Sequence, residues 1–221
     1  MGVGRERMAS RPDPADYPPP PVPRDPRPDT LDAAAQRCRA CDLYAGATQA
    51  VVGEGPPTAH VMLVGEQPGD REDIEGHPFV GPAGRILDTA LERAGIARDD
   101  VYLTNAVKHF RYRQRGKRRI HQRPDRWHVR ACSPWLEAEL ALVRPEAIVL
   151  LGATAAQALL GPKIRVGESR GRRLESELAE LVTVTVHPSS ILRVAERVER
   201  HRAMDEFVAD LAAVAEWIAG D

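Results

Sequence analysis

The chain has 221 residues, 43% hydrophobic and 29% charged, and a formal net charge of −1, which suits one globular domain with a real core plus a tail. Its longest apolar run, Ala147 to Leu160, is interrupted by Thr154 and Gln157 and is too short to cross a bilayer; no charged-then-apolar signal segment opens the chain. A cytosolic monomer with no membrane segment is expected, and in that compartment three cysteines are not a disulfide framework.

Residues 1–29 hold nine of the 19 prolines and almost no aliphatic side chains. Such a segment cannot bury enough surface to offset its ordering entropy, so a disordered or extended tail is expected, with the domain proper over 30–221. A short helical pattern, Leu31 to Arg37, leads to Cys38 and Cys41. His60 to Val64 (HVMLV) predicts a buried strand running into Gly65-Glu66-Gln67-Pro68-Gly69, a tight loop because glycines around a proline cannot continue the strand. A second glycine-framed loop, Gly76 to Gly81, carries Phe79. It opens a helix whose buried face is Ile86, Leu87, Ala90, Leu91 and Ala94 and which Gly95 ends.

The next strand is Val101 to Ala106. It gives way to NAVKHFRYRQRGKRRIH, residues 105–121, a loop by this reading. From Lys108 to Arg130 there are ten Lys or Arg (108, 111, 113, 115, 117, 118, 119, 123, 126, 130) against one acid, Asp125. On a balanced chain that is a local patch suited to a polyanion such as DNA or RNA, the alternative being a solvated charged loop. Ser133-Pro134 has the form of an N-cap with proline at the first helical position, predicting a helix from there through Val143. A third strand over Ala147 to Leu151 precedes a helix over Thr154 to Leu160. The fourth is Leu181 to Val186, after which His187-Pro188-Ser189-Ser190 caps a helix beginning near Ile191. A final amphipathic helix buries Met204, Phe207, Leu211, Val214 and Ile218.

Strands alternating with helices predict an α/β fold: a central four-stranded parallel sheet with helices on both faces. Ligands in such sheets sit beyond the carboxyl ends of the strands. The loops at Glu66, Asn105 and His187 each follow a strand, so they converge at one rim. Phe79, off any periodic element, suits a pocket mouth where it stacks on a nucleobase. Asn105 either caps a strand end or reads a base edge with its amide. For metal, Cys38-x-x-Cys41 and Cys132 supply three ligands and His109 is the best fourth; spacing does not choose between zinc and iron–sulfur.

The motifs GEQPGDREDIEGHPFVGPAG, TNAVKH, ACSPWL and VTVHPSSILR, in that order over roughly residues 36–195, resemble the uracil-DNA glycosylase superfamily and its iron–sulfur branch, family 4. Gln67 stands where family 4 usually has alanine, His109 where it has a cluster cysteine, and the insertion ending Lys117-Arg118-Arg119-Ile120-His121 is extra. Those departures are the marks of the UdgX group, whose members excise uracil and stay covalently joined to the abasic site. The resemblance implies the uracil-DNA glycosylase fold and a 4Fe–4S cluster on Cys38, Cys41, His109 and Cys132. It implies uracil-containing DNA as partner, with the base flipped out or single-stranded. His121, Glu66, His187 and Arg119 become the catalytic group. Gly65, Gln67, Asp70, Phe79, Asn105, Ser189 and Arg193 become the substrate contacts.

Overall fold

The computed structural model describes residues 13–220. Among the described residues six strands are formed: β1 (Val61–Gly65), β2 (Val101–Asn105), β3 (Tyr112–Arg115), β4 (Arg118–His121), β5 (Ala147–Leu151) and β6 (Leu181–Thr185). All five residues of each of β1, β2, β5 and β6 are buried, as strands covered on both faces must be. These four make a parallel sheet in the order β2-β1-β5-β6. Their carboxyl ends therefore share one edge, and the chain reverses direction across the sheet between β1 and β5, the switch point at which sheets of this kind form their ligand crevice.

The helices are α1 (Pro28–Ala35), α2 (Asp70–Glu75), α3 (Pro82–Arg93), α4 (Arg126–Val143), α5 (Ala153–Leu160), α6 (Val166–Ser169), α7 (Pro188–Leu192) and α8 (Arg197–Ala219). Alternation along the strands splits the core in two. Leu63, Leu103, Val149 and Leu181 pack with Leu87 and Leu91 of α3 and Phe207 and Leu211 of α8. Met62, Tyr102, Ile148 and Val182 pack with Leu136 of α4 and Ala155 of α5 on the other face. A third cluster gathers Leu31, Ala35, Val107, Trp127 and Trp135 around the three cysteines. Among the described residues no helix is long and apolar enough to cross a membrane.

Three expectations change. The helix expected to open at Ser133 begins at Arg126, and Pro134 lies inside it. The proline removes the bond that would run to the carbonyl four residues back, at Arg130, and the Ser133 hydroxyl donates to that carbonyl instead at 3.2 Å. The basic stretch is a hairpin rather than a loop, β3 pairing antiparallel with β4 about a turn at Gly116 (φ +59°). Of the expected tail, residues 1–12 lie outside the described residues. From Asp13 the chain is placed: Tyr17 packs on Trp127 with ring centroids 5.7 Å apart, Val22 joins the same cluster, and α1 begins at Pro28.

Candidate active site

Register brings Gly65, the last residue of β1, level with Asn105, the last of β2. A side chain on Gly65 would collide with the Asn105 amide oxygen and would come within 2.7 Å of the Phe79 ring, so glycine is what lets those two groups close over the strand end. Phe79 is buried with a left-handed backbone (φ 57°), a conformation that costs a non-glycine residue about 1–3 kcal/mol. Gly84, whose missing Cβ leaves room for the Phe79 carbonyl, lets α3 pack against that bend.

Glu66 follows at the β1 end of the crevice. One carboxylate oxygen, Oε1, lies 3.3 Å from His121 Nε2 at the end of β4. The other accepts from the Thr154 hydroxyl at the start of α5 and lies 3.9 Å from Arg123 Nε. Burial pushes the Glu66 carboxyl up, but hydrogen bonds from His121 and Thr154, with the attraction of His121 and His187, outweigh it and leave the group below its ordinary range. Glu66 is thus a half-buried anion facing an imidazole.

His187 caps α7: its Nδ1 accepts from the Ser189 N–H at 3.2 Å. That fixes the ring proton on Nε2. Burial holds the imidazole down to about 4, opposed by Glu66 and assisted by His121 and Arg193, so it is a neutral donor at physiological pH. The Phe79 and His187 ring centroids are 6.3 Å apart. Arg193 Nη1 donates to Ser189 Oγ at 3.2 Å and is otherwise exposed. The three rim loops expected to converge do so.

Other expected site residues do different work. Gln67 donates its amide N–H groups to the carbonyls of Arg111 and Gln122, each at 3.1 Å, and accepts from Arg111 N at 3.1 Å. Its side chain clasps the two ends of the hairpin rather than a substrate. Arg119 is bound by Asp70 and Asp73, each at 2.5 Å, and lies over the rings of Phe110 and Tyr112. It ties β4 to α2, and Asp70, expected at the substrate, is its partner. Asp73 is fully buried and also accepts from Thr48 N and Oγ1. Nothing in the sequence pattern marked it. Thr154 was missed too, although a hydroxyl inside an apolar run was a signal. The basic patch loses Lys108, which is buried against Glu139.

The cysteines and His109 are all buried, and no disulfide joins them. Two sulfurs already accept N–H groups, Cys132 from Lys108 N at 3.2 Å and Cys38 from Trp135 Nε1 at 3.4 Å, as ligated thiolates do. Burial pushes free Cys132 up to about 12 and Cys41 to about 11, so these sulfurs ionise only when something electropositive takes them. Burial also lowers His109 to about 4, leaving a neutral ring suited to ligation. Three thiols and a neutral imidazole are a soft donor set of the kind that ligates zinc or iron–sulfur groups, although among the described residues no three His, Cys, Asp or Glu side chains are arranged around one metal ion.

Residues 52–212 match the family model of the uracil DNA glycosylase superfamily. The chain is 37% identical over 159 residues to a type-4 uracil-DNA glycosylase of Thermotoga maritima, covering 72% of this chain and 79% of the relative. It is 36% identical over 170 residues to a type-4 uracil-DNA glycosylase of Pyrobaculum aerophilum, covering 74% and 83%. A type-5 uracil-DNA glycosylase of Thermus thermophilus is 36% identical over 126 residues, covering 50% and 53%.

Proposed function

The chain belongs to the uracil DNA glycosylase superfamily, and from that premise we propose that it excises uracil from DNA and then stays joined, through His121, to C1′ of the abasic site. The observation that carries the second half is the Glu66–His121 contact at 3.3 Å, made by a hairpin inserted over the crevice. The reading is supported by the resemblance of Gln67, His109 and the Lys117–His121 insertion to the UdgX group.

Uracil in a duplex is stacked, so it enters flipped out or from a single strand. Phe79 stacks on it and Asn105 reads O4 and N3–H. The bond from C1′ to N1 breaks with its electron pair going to the base, leaving a uracil anion and positive charge on the sugar. The His187 Nε2–H and the backbone amides of residues 65–69 stabilise that anion. Arg193 and the serines beside it hold phosphates, as do the exposed cations of the hairpin.

The sugar cation is then open to water or to His121. With Nε2–H donated to Glu66, the lone pair sits on the other ring nitrogen, which forms the bond to C1′. The Nε2 proton of the resulting imidazolium stays hydrogen-bonded to the Glu66 carboxylate until it is lost to solvent, leaving a neutral alkylated imidazole, a poor leaving group. Holding the ring at the site supplies an effective concentration that diffusing water does not match. Gln67, Arg119 and Asp70 act as positioning residues for the hairpin.

Cys38, Cys41, Cys132 and His109 would hold a 4Fe–4S cluster, which when bound supplies a rigid cross-link behind the hairpin rather than chemistry at the base. Iron analysis checks this, and His109→Cys is expected to retain the iron.

Incubating the protein with a uracil-containing oligonucleotide and running a denaturing gel tests the main reading. A denaturant-stable adduct is expected with wild type, and free uracil with an uncaptured abasic site with His121→Ser. Uracil release without an adduct in wild type would leave an ordinary turnover glycosylase, and neither uracil nor adduct would leave a binding module.

A further inference from the structure

Thr154 and Gln157 are the only polar side chains in Ala147 to Leu160, and they stand three residues apart, on one face of α5. Alanine would suit that helix better at either place. Both meet the candidate site. The Thr154 hydroxyl donates to Glu66 Oε2 and accepts from Arg123 Nε at 3.2 Å, and Gln157 Oε1 accepts from Arg123 Nη2 at 3.3 Å. Arg123 is two residues beyond His121, and Glu66 Oε1 faces His121 Nε2. Glu66 and the chain two residues beyond His121 are therefore tethered to the same turn of the same helix. That turn follows β5, directly across the crevice from the loop that carries Glu66.

We propose that Thr154 and Gln157 are positioning residues for capture, a clamp by which α5 holds the Glu66 carboxylate and the outgoing strand of the hairpin in one fixed relation. The proposal rests on the His121 reading for its chemical consequence but not for its geometry. With Oε2 occupied by the Thr154 hydroxyl, only Oε1 is left for the imidazole, so the ring donates Nε2–H and keeps its other lone pair for C1′. Without the hydroxyl the carboxylate is free to rotate toward Arg123, and the ring loses its fixed tautomer. Without Gln157 the guanidinium has one tether instead of two, and the chain after His121 is freer to leave the crevice.

The test uses the full-length, cluster-loaded protein and a uracil-containing single-stranded oligonucleotide. Adduct is read on a denaturing gel and uncaptured abasic site by alkaline cleavage. Thr154→Val keeps the shape and removes the donor. It is expected to lower the ratio of adduct to uncaptured site about tenfold to a hundredfold, the range of a hydrogen bond to a charged group. Thr154→Ser is expected to restore the ratio, which a packing role would not, since serine packs worse than valine. Gln157→Leu, at a less buried position, is expected to lower the ratio less and to speed amide hydrogen exchange over residues 118–123 in the free protein. A valine variant with the wild-type ratio, a serine variant no better than valine, or unchanged exchange in Gln157→Leu would overturn the clamp. If wild type forms no adduct, the capture reading fails, and the exchange measurement alone then decides whether the clamp exists.

Discussion

Glu139→Leu should destabilise the protein far more than any surface change, because Lys108 and Glu139 form an ion pair at 2.6 Å with both side chains 1% exposed. Each ammonium proton has an acceptor: Thr104 Oγ1 at 2.7 Å, the Asn105 carbonyl at 2.8 Å and Glu139 Oε2. The other Glu139 oxygen accepts from Gly53 N at 2.7 Å. Removing one member of such a pair costs about 3–5 kcal/mol. The orphaned Gly53 N–H adds about 1–3 kcal/mol. With a urea dependence of about 3 kcal/mol per molar or less, the unfolding midpoint should fall by at least about 1 M. Lys108→Met with Glu139→Leu should cost clearly less than the two single changes added, since no charge is then left unpaired. Strict additivity, or a Glu139→Leu loss below about 1 kcal/mol, would show that the pair does not act as a unit. The same ammonium holds the Asn105 carbonyl, and the Lys108 N–H bonds Cys132 Sγ, so on the proposed cluster reading iron content should drop with stability in the single variants.

Gly65→Ala should impair uracil binding more than folding, because the new methyl lands on the Asn105 amide and the Phe79 ring; titration with uracil-DNA beside a denaturation curve checks this. Arg193→Ala should weaken binding to uracil-containing and uracil-free oligonucleotides alike and lower the salt slope by about 1, whereas a change of base preference at constant slope would reassign it. His187 is held down to about 4 in the fold against about 6.5 when unfolded, so its contribution is full above pH 6.5, falls as pH drops, and stops falling below about 4. His187→Asn, which keeps a capping side chain, should flatten that part of the stability-against-pH curve.

The four sheet strands were legible in the sequence because parallel strands covered on both faces are predominantly apolar or β-branched, and the rim residues followed from the strand ends. What was not legible has a common cause. A proline inside α4 is tolerated because Ser133 takes up the carbonyl it orphans, a compensation visible only in three dimensions. Alternation in the hairpin was masked because both its faces are polar: Arg119 and His121 turn inward to Asp70, Asp73 and Glu66, while Arg113 and Arg118 face solvent. Composition marked every one of those cations as surface charge. The functions of Gln67 and Asp73 likewise depend on partners more than forty residues away.

The hairpin is a four-residue strand pair, too short to hold a geometry by itself. It is fastened at four places: Gln67 across its base, Arg119 to α2, the Tyr112 hydroxyl to the Gly46 carbonyl at 2.9 Å, and Arg123 to α5. One of these, through Gln67, runs to the loop after β1, and so does the separate His121–Glu66 contact, so the hairpin is referenced to the strand end where Gly65 gathers Asn105 and Phe79. On the capture reading this arrangement follows from the chemistry. A nucleophile that waits for a short-lived cation cannot search for it, and each residue left free costs about 1–2 kcal/mol to order at that moment. Fastening the hairpin in the folded state moves that cost to folding, where the core of the domain offsets it. Weakening any one fastening should therefore divert the sugar cation to water before it stops the base from leaving, and the ratio of captured to uncaptured sites should be the first quantity to change.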